Sequence, residues 1–185
     1  MTSVNCLHTG GSVGGDSYFE DIAKKNNHLI KLYHFDGHKN TRIEVINNDR
    51  GVTNNHYEPL EITAAEMKIC GESLELASKK LGRHLPETGY QRHLLERDYF
   101  LVNRSGATSF YSIGHWIDRT TGIIEGGTGF ISELFLIRHP TYPMYFHCIE
   151  SGLNYKMTLG GWMPIDSFPS PHGQWIGVGS RAFRN

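Results

Sequence analysis

The sequence is short of cysteine, long apolar runs and net charge, and each shortage excludes a class of protein. Its three cysteines, Cys6, Cys70 and Cys148, are widely spaced and form no CxxC pair, which argues against disulfides and favours a reducing, cytoplasmic compartment. No stretch approaches about 18 apolar residues, so we expect no membrane segment. The first residues lack the basic and apolar regions of a signal peptide. A net charge of −1 offers no overall basic field, which argues against nucleic acid as a partner.

Several catalytic and metal-binding motifs are also missing. There is no GxSxG elbow for a serine nucleophile and no strict GxGxxG dinucleotide fingerprint. His34 and His38 flank a short FDG segment, which predicts a turn, and no cysteine or carboxylate completes a ligand set around them. The sequence therefore predicts neither a metal site nor a tightly bound cofactor.

Glycine and aromatic residues are abundant instead. The 185 residues include 21 glycines, nine tyrosines, nine phenylalanines and three tryptophans. This length and apolar content suit one globular domain over residues 1–185. The glycines occur in short clusters, which indicates places where the backbone needs a positive φ or a close approach. We expect at least two of the three tryptophans to be packing residues.

Hydrophobic periodicity predicts strands that alternate with helices. A plausible N-cap, Asp16, precedes the first helix. Strands are predicted at 4–8, 29–35, 107–113 and 142–147, helices at 17–26, 62–81, 89–103 and after the 125–129 turn, a long loop at 36–59, and mostly irregular chain after 147. This alternation predicts a Rossmann-like α/β fold, with a mainly parallel sheet and helices on both faces.

Two glycine-rich turns each lie between a predicted strand and a predicted helix. They are HTGGSVGG at 8–15 and EGGTG at 125–129. In parallel sheets such turns lie at the carboxyl ends of strands, where ligands bind. The unpaired N–H groups and positive dipole of the following helix favour an anion such as phosphate. Glu133, about one turn into the second helix, is either a solvated side chain or a residue that faces a sugar.

The segment GGTGFISE resembles the GGxGTxxE motif of the LOG-like proteins, the cytokinin-activating phosphoribohydrolases. Three glycines and Glu133 match it, while Phe130 replaces the threonine and Glu125 replaces the frequent preceding proline. Upstream, LERDYFLVNRSGA at 95–107 resembles the family's helix with a catalytic arginine, at Arg97. The segment GHWIDRTTG at 114–122 is an insertion.

Both ends of the chain resemble the broader SLOG superfamily, which joins LOG-like and DprA-like proteins. HTGGSVGGDSYFE, from residue 8, is similar to SGGAxGADxxFE. WIGVGSRAF at 175–183 is similar to the GIGSR strand-turn, which in phage-type relatives forms the tail. We therefore expect 175–181 to pack on the sheet as an edge or extra strand, with Ser180 or Arg181 near the pocket.

The resemblance implies that the protein binds a phosphorylated nucleotide-like small molecule and hydrolyses its N-glycosidic bond, with Arg97 and Glu133 as catalytic residues. The alternative is a non-catalytic sensor or sequestering protein for a nucleotide-derived signal, such as an ADP-ribose or NAD relative. A homodimer or larger assembly is also implied, paired through the apolar face of the 62–81 helix. The ligand-binding residues would be Gly10, Gly11, Ser12, Gly14, Gly15, Asp16, Gly126, Gly127, Thr128, Gly129, Ser180 and Arg181.

Overall fold

The structure, a computed structural model that describes residues 4–39 and 56–184, is built on an eight-stranded sheet. The described strands, of which all but β5 and β6 belong to this sheet, are β1 Cys6–Thr9, β2 Leu29–Phe35, β3 Tyr57–Ile62, β4 Ser109–Gly114, β5 Trp116–Asp118, β6 Ile123–Ile124, β7 Met144–Cys148, β8 Asn154–Thr158, β9 Gly161–Ile165 and β10 Gln174–Gly179. The α-helices are α1 Gly15–Lys25, α2 Ala64–Met67, α3 Gly71–Leu81, α4 Tyr90–Arg104 and α5 Gly126–Arg138, with a 3₁₀ turn at Lys68–Cys70.

The strand order of the large sheet is β3-β2-β1-β10-β4-β7-β8-β9. The first six strands in this order pair in parallel, and β8 and β9 add an antiparallel edge. Strands β5 and β6 form a separate antiparallel pair. The predicted Rossmann-like, mainly parallel α/β fold is therefore confirmed.

Helices cover both faces of the sheet. The side chains of each strand alternate between the two faces, so each face presents apolar residues for a helix to cover. On β2, Ile30 and Leu32 face the core beneath α1, whereas Tyr33 and Phe35 face the larger core beneath α3, α4 and α5. Trp175 of β10 is fully buried on the α1 side. Strands covered on both sides are apolar along their length, as expected for parallel sheets.

The C-terminal segment packs on the sheet as an extra strand, β10, which was one of the two predicted placements, and it lies in the centre of the sheet and not at its edge. It pairs in parallel with β1 on one side and with β4 on the other. A Cβ at Gly177 would lie 2.7 Å from the Phe19 side chain, so this glycine lets α1 pack closely on the strand. The last strand therefore joins the first strand to the second half of the sheet.

The predicted helix over 62–81 is interrupted. Ile62 is still paired with Phe35 in the sheet. Thr63 then starts a new helix with a capping box, in which its hydroxyl accepts from the Glu66 N–H and the Glu66 carboxylate accepts from the Thr63 N–H. The 3₁₀ turn separates this short helix from α3. Apolar spacing alone could not distinguish these successive elements.

Two stretches expected to be irregular contain strands. Residues 57–59, assigned to a long loop, belong to β3, while residues 40–55 of that loop lie outside the described part of the chain. Beyond residue 153, strands β8 and β9 occupy part of the region expected to be irregular. Pro164 argued against a strand there, but it lies in β9, at the sheet edge where a missing N–H is tolerated.

The apolar face of α3, proposed above for dimer contacts, packs inside the chain. Leu74, Ala77 and Leu81 are buried in the core against α4 and α5. The dimer therefore stays a prediction without support from this face. None of the helices in the described ranges is long and apolar enough to cross a membrane.

Candidate functional site

A cavity of about 690 Å³ opens at the carboxyl ends of the central strands. The loop after β1 contributes Ser12, the end of β10 contributes Gly179, and the residue after β4 is His115. Helices α4 and α5 form the opposite wall. The volume of the cavity falls in the range typical of small-molecule sites. The site therefore lies where ligands bind in open parallel sheets.

The first glycine turn packs against protein rather than against the cavity. A Cβ at Gly10 would overlap the Arg97 guanidinium, and one at Gly15 would overlap the Gly179 backbone. A Cβ at Gly14, which has φ +103, would lie 2.5 Å from the Ser180 carbonyl oxygen. Gly10, Gly11, Gly14 and Gly15 are absent from the cavity wall, which this turn reaches only through Ser12 and Asp16. The turn's glycines thus allow the ends of β1 and β10 and helix α4 to meet.

Asp16 is a buried link between that turn and β10. It lies in the first turn of α1, whose N-cap is Gly14 instead of the predicted Asp16. Its Oδ2 accepts a hydrogen bond from the Ser12 N–H at 3.0 Å, and its Oδ1 accepts one from the Gly179 N–H at 2.6 Å. Burial raises the pKa of Asp16, opposed by the nearby Arg97 charge and by these hydrogen bonds. Both carboxylate oxygens hold the backbone in place.

The second glycine turn forms the first turn of α5. Gly126, Gly127 and Thr128 line the cavity. Apart from the neighbouring backbone, no atom of residues 4–39 and 56–184 lies within 4 Å of a Cβ placed on Gly126. The N-cap residue, Glu125, makes no side-chain cap hydrogen bond, which leaves the first N–H groups without an intrahelical partner. Gly129 instead packs on Ile124 and is not on the wall.

Arg83, which the sequence analysis missed, anchors this turn. Its Nη1 donates to the Gly126 carbonyl at 2.9 Å, and its Nη2 donates to the Ile124 carbonyl. Its guanidinium carbon lies 5.9 Å from the centroid of the Phe130 ring. Phe130 is buried, so the ring that replaces the motif's threonine packs under an arginine at the cavity wall. No local motif marks Arg83, because it lies after α3 and far from α5 in sequence.

Arg97 projects from α4 to the cavity and is only 6% exposed. Its Nη2 lies 3.1 Å from Asp98 Oδ1. Its Nε and Nη1 atoms have no hydrogen-bond partner among the residues that the structure describes. The Nη1 side of the guanidinium faces Gly10, so these two donors are covered by protein, and a buried donor without an acceptor is costly.

Glu133 does not reach the cavity. Its carboxylate lies 3.3 Å from Lys80 Nζ on α3, and it is not part of the wall. Seven positions after Gly126, it lies about two turns into a helix whose cavity contacts are confined to its first six residues. The structure thus brings only one of the two predicted catalytic residues, Arg97, to the site.

Asp98, next to Arg97, is the cavity carboxylate that the sequence analysis overlooked. It is 6% exposed. Burial raises its pKa to about 7, with Arg97 lowering it and Asp16 raising it further. Perturbed carboxylates in clefts are frequent at functional sites. The sequence did offer a signal for Asp98, because it directly follows Arg97 on the helix already assigned to the site.

The chain after β10 completes the wall. Ser180 donates its N–H to the Ile113 carbonyl at 2.7 Å and accepts from the Gly15 N–H at 3.0 Å. Ser180 and Arg181 both line the cavity, where the sequence placed them. The inserted segment contributes His115 and Ile117 to the same wall.

The tryptophans and Cys6, which were also considered as site residues, pack inside the protein. Trp175, Trp116 and Trp162 pack against aromatic neighbours, as predicted for at least two of them. Cys6 is buried, and burial raises the pKa of its thiol to about 11. Within residues 4–39 and 56–184, no group of three histidine, cysteine or acidic side chains is arranged to hold a metal ion.

Comparison with known proteins finds no match to a protein-family model, to a curated protein or to a solved structure. The resemblance to the LOG-like and SLOG proteins therefore depends on the short motifs quoted above.

Proposed function

We propose that the cavity binds a phosphorylated nucleotide-like small molecule and that the protein hydrolyses its N-glycosidic bond. The observation that carries the proposal is Arg97, a buried guanidinium on the wall of the cavity that the first turn of α5 also lines. An anion is the ligand that pairs best with a guanidinium. The other elements of the site agree with this choice.

The first turn of α5 supplies a second anion-binding feature. Gly126 and Gly127 leave open space, and the helix dipole favours negative charge at this end. Phosphate would lie against this turn, within the same cavity as Arg97. Arg83 and Arg181 add positive charge to the wall. A cavity of about 690 Å³ has room for the sugar and base as well.

Binding is tested by titrating the purified chain with AMP, GMP, CMP, UMP, NAD and ADP-ribose in a calorimeter. We expect at least one to bind and Arg97→Met, which keeps an unbranched apolar stem but removes the guanidinium, to weaken binding about tenfold or more. Arg92→Met is the matched control, because Arg92 lies on the same helix, pairs with Glu96 at 2.8 Å and does not line the cavity. No binding by the wild type, or equal effects of both variants, would contradict the proposal.

Hydrolysis is tested with the same compounds by chromatography and mass spectrometry of released base. We expect free base and the corresponding sugar phosphate in equal amounts. A parallel reaction with the denatured protein measures spontaneous hydrolysis of each compound.

A second candidate function is a non-catalytic sensor or sequestering protein for a nucleotide-derived signal. It is favoured by the position of Glu133, because the carboxylate that the family resemblance assigns to catalysis pairs with Lys80 outside the cavity. Tight binding of one of the six compounds without any release of base would support the sensor over the hydrolase.

A further inference from the structure

Asp98 has the position required of an acid–base residue in this cavity. Its Oδ1 is held 3.1 Å from Arg97 Nη2. Its Oδ2 lies 4.0 Å from the point that a Cβ on Gly127 would occupy. This second oxygen is therefore beside the first turn of α5, and Asp98, Arg97 and Gly127 line the same cavity.

The other carboxylates at the cavity are less suited to this role. Asp16 accepts backbone hydrogen bonds with both of its oxygens. Glu125 is exposed at the N-cap of α5. Glu133 pairs with Lys80 and does not line the cavity. Among the described residues, this leaves Asp98 as the buried carboxyl with an oxygen available to a ligand.

We propose that Asp98, and not Glu133, is the catalytic acid–base residue of the site, acting directly on the sugar end of a nucleoside monophosphate. This inference rests on the proposed function. Arg97, its neighbour in the chain, holds one carboxyl oxygen and leaves the other for the reacting atoms.

The step balances with water as the only co-reactant. The C1′–N bond breaks, and its electron pair leaves with the base. The oxygen of a water molecule bonds to C1′ as the Asp98 carboxylate takes a proton from that water. Asp98 then passes this proton to a nitrogen of the departing base. The products are the free base and the sugar phosphate, and the carboxylate is regenerated.

The surroundings of Asp98 suit this exchange near neutral pH. Burial raises its pKa to about 7, while the Arg97 charge lowers it and the Asp16 charge raises it. The efficiency of a general base is greatest when its pKa lies near the working pH. The remaining charged or titratable groups of the cavity wall are Arg83, His84, His115, Glu125 and Arg181.

The test compares Asp98→Asn with Glu133→Gln and with a matched control, Glu96→Gln. Glu96 is a buried carboxylate on the same helix that pairs with Arg92 and His93 away from the cavity. We expect Asp98→Asn to lower kcat for the best-hydrolysed compound by about 100-fold or more, with its Kd changed by less than about threefold. Glu133→Gln and Glu96→Gln should keep kcat within about threefold.

The pH profile of the wild type gives an answer that needs no variant. Because the carboxylate must be ionised to take the proton from water, kcat should fall as the pH drops through about 7. Any turnover that remains in Asp98→Asn should not show this fall of kcat near pH 7. A profile without it in the wild type would overturn the inference even if Asp98→Asn failed to fold.

The outcomes separate this inference from the proposed function. Absence of ligand binding by the wild type would overturn both. Binding without turnover would leave the ligand site standing and overturn the role of Asp98. Turnover that is abolished by Glu133→Gln, or retained by Asp98→Asn, would overturn the role of Asp98 while supporting hydrolysis.

Discussion

The carboxylate of Asp16, at the start of α1, accepts a hydrogen bond of 2.6 Å from the backbone N–H of Gly179, at the end of β10. Its other oxygen accepts from the Ser12 N–H. One buried side chain thus ties the glycine turn after β1 to the C-terminal strand. Because β10 lies between β1 and β4, this link also sets the position of Ser180 and Arg181 at the cavity.

Replacement of Asp16 by alanine should therefore lower stability. It leaves two buried backbone N–H groups without their acceptor and removes a negative charge beside Arg97. We expect the free energy of unfolding, measured by urea denaturation, to fall by about 3 kcal/mol. Asp21→Ala, in the same helix but exposed and paired only with Lys24, should cost less than about 0.5 kcal/mol. Similar losses for both variants would argue against the link.

Gly15→Ala should be more damaging than a glycine substitution in open space. Its Cβ would overlap the backbone of Gly179, which cannot move aside without disturbing β10. We expect a loss of about 3 kcal/mol or failure to fold. The control is Gly71→Ala. Gly71 has a helical φ of −50°, and in the described part of the chain no atom beyond its neighbouring backbone lies within 4 Å of its Cβ position. That variant should be neutral or more stable by about 0.5 kcal/mol. Thermal denaturation of the two proteins distinguishes these outcomes.

A buried histidine should make the protein sensitive to acid. His8 Nε2 lies 2.8 Å from Gln174 Oε1, while its Nδ1 lies 3.1 Å from the Tyr33 hydroxyl. Since Gln174 Nε2 donates to the Val4 carbonyl, the Gln174 oxygen faces His8. The ring is therefore neutral, donating from Nε2 and accepting at Nδ1. Burial lowers the pKa of His8 to about 4.

Below its ordinary pKa of 6.5, the unfolded chain binds a proton at His8 that the folded chain refuses, so the contribution of His8 to stability falls as pH drops from 6.5 towards 4. The linkage amounts to about 3 kcal/mol. The raised pKa of Asp98 acts in the opposite direction over this range, so the effect of His8 is read from the difference between the wild type and His8→Gln. We expect urea unfolding across this range to show a shallower dependence in His8→Gln. Some dependence should remain, because burial also lowers the pKa of His38, to about 3. Equal dependence in the two proteins would contradict the assignment.

Truncation after Gly173 should abolish cooperative folding. It removes β10, leaves β1 and β4 without a shared neighbour, and deletes the fully buried Trp175. Truncation after Phe183 is the control and should unfold like the full chain. Nuclear magnetic resonance spectra would show the difference as loss of amide dispersion in the shorter protein alone. A dispersed spectrum from the chain ending at Gly173 would show that the central strand is dispensable.

Local signals in the sequence determined the general type of fold and part of the site. Alternating apolar segments predicted β2, α4 and most of α5, because the periods of strand and helix are written in consecutive residues. The glycine turn at 126–128 and Arg97 were placed at the site, and both line the cavity. These features depend on residues within one or two elements, which is why the sequence alone reveals them.

Contacts between distant segments decided the rest. The pairing of β10 with β1 joins residues near opposite ends of the chain, for example Leu7 with Trp175, and no local pattern contains that information. Packing of α5 against α3 turned Glu133 towards Lys80. Packing of the first glycine turn on α4 and β10 buried Arg97 and Asp98 together. The sequence thus supplied the helices, strands and turns, while tertiary packing chose which carboxylate faces the cavity.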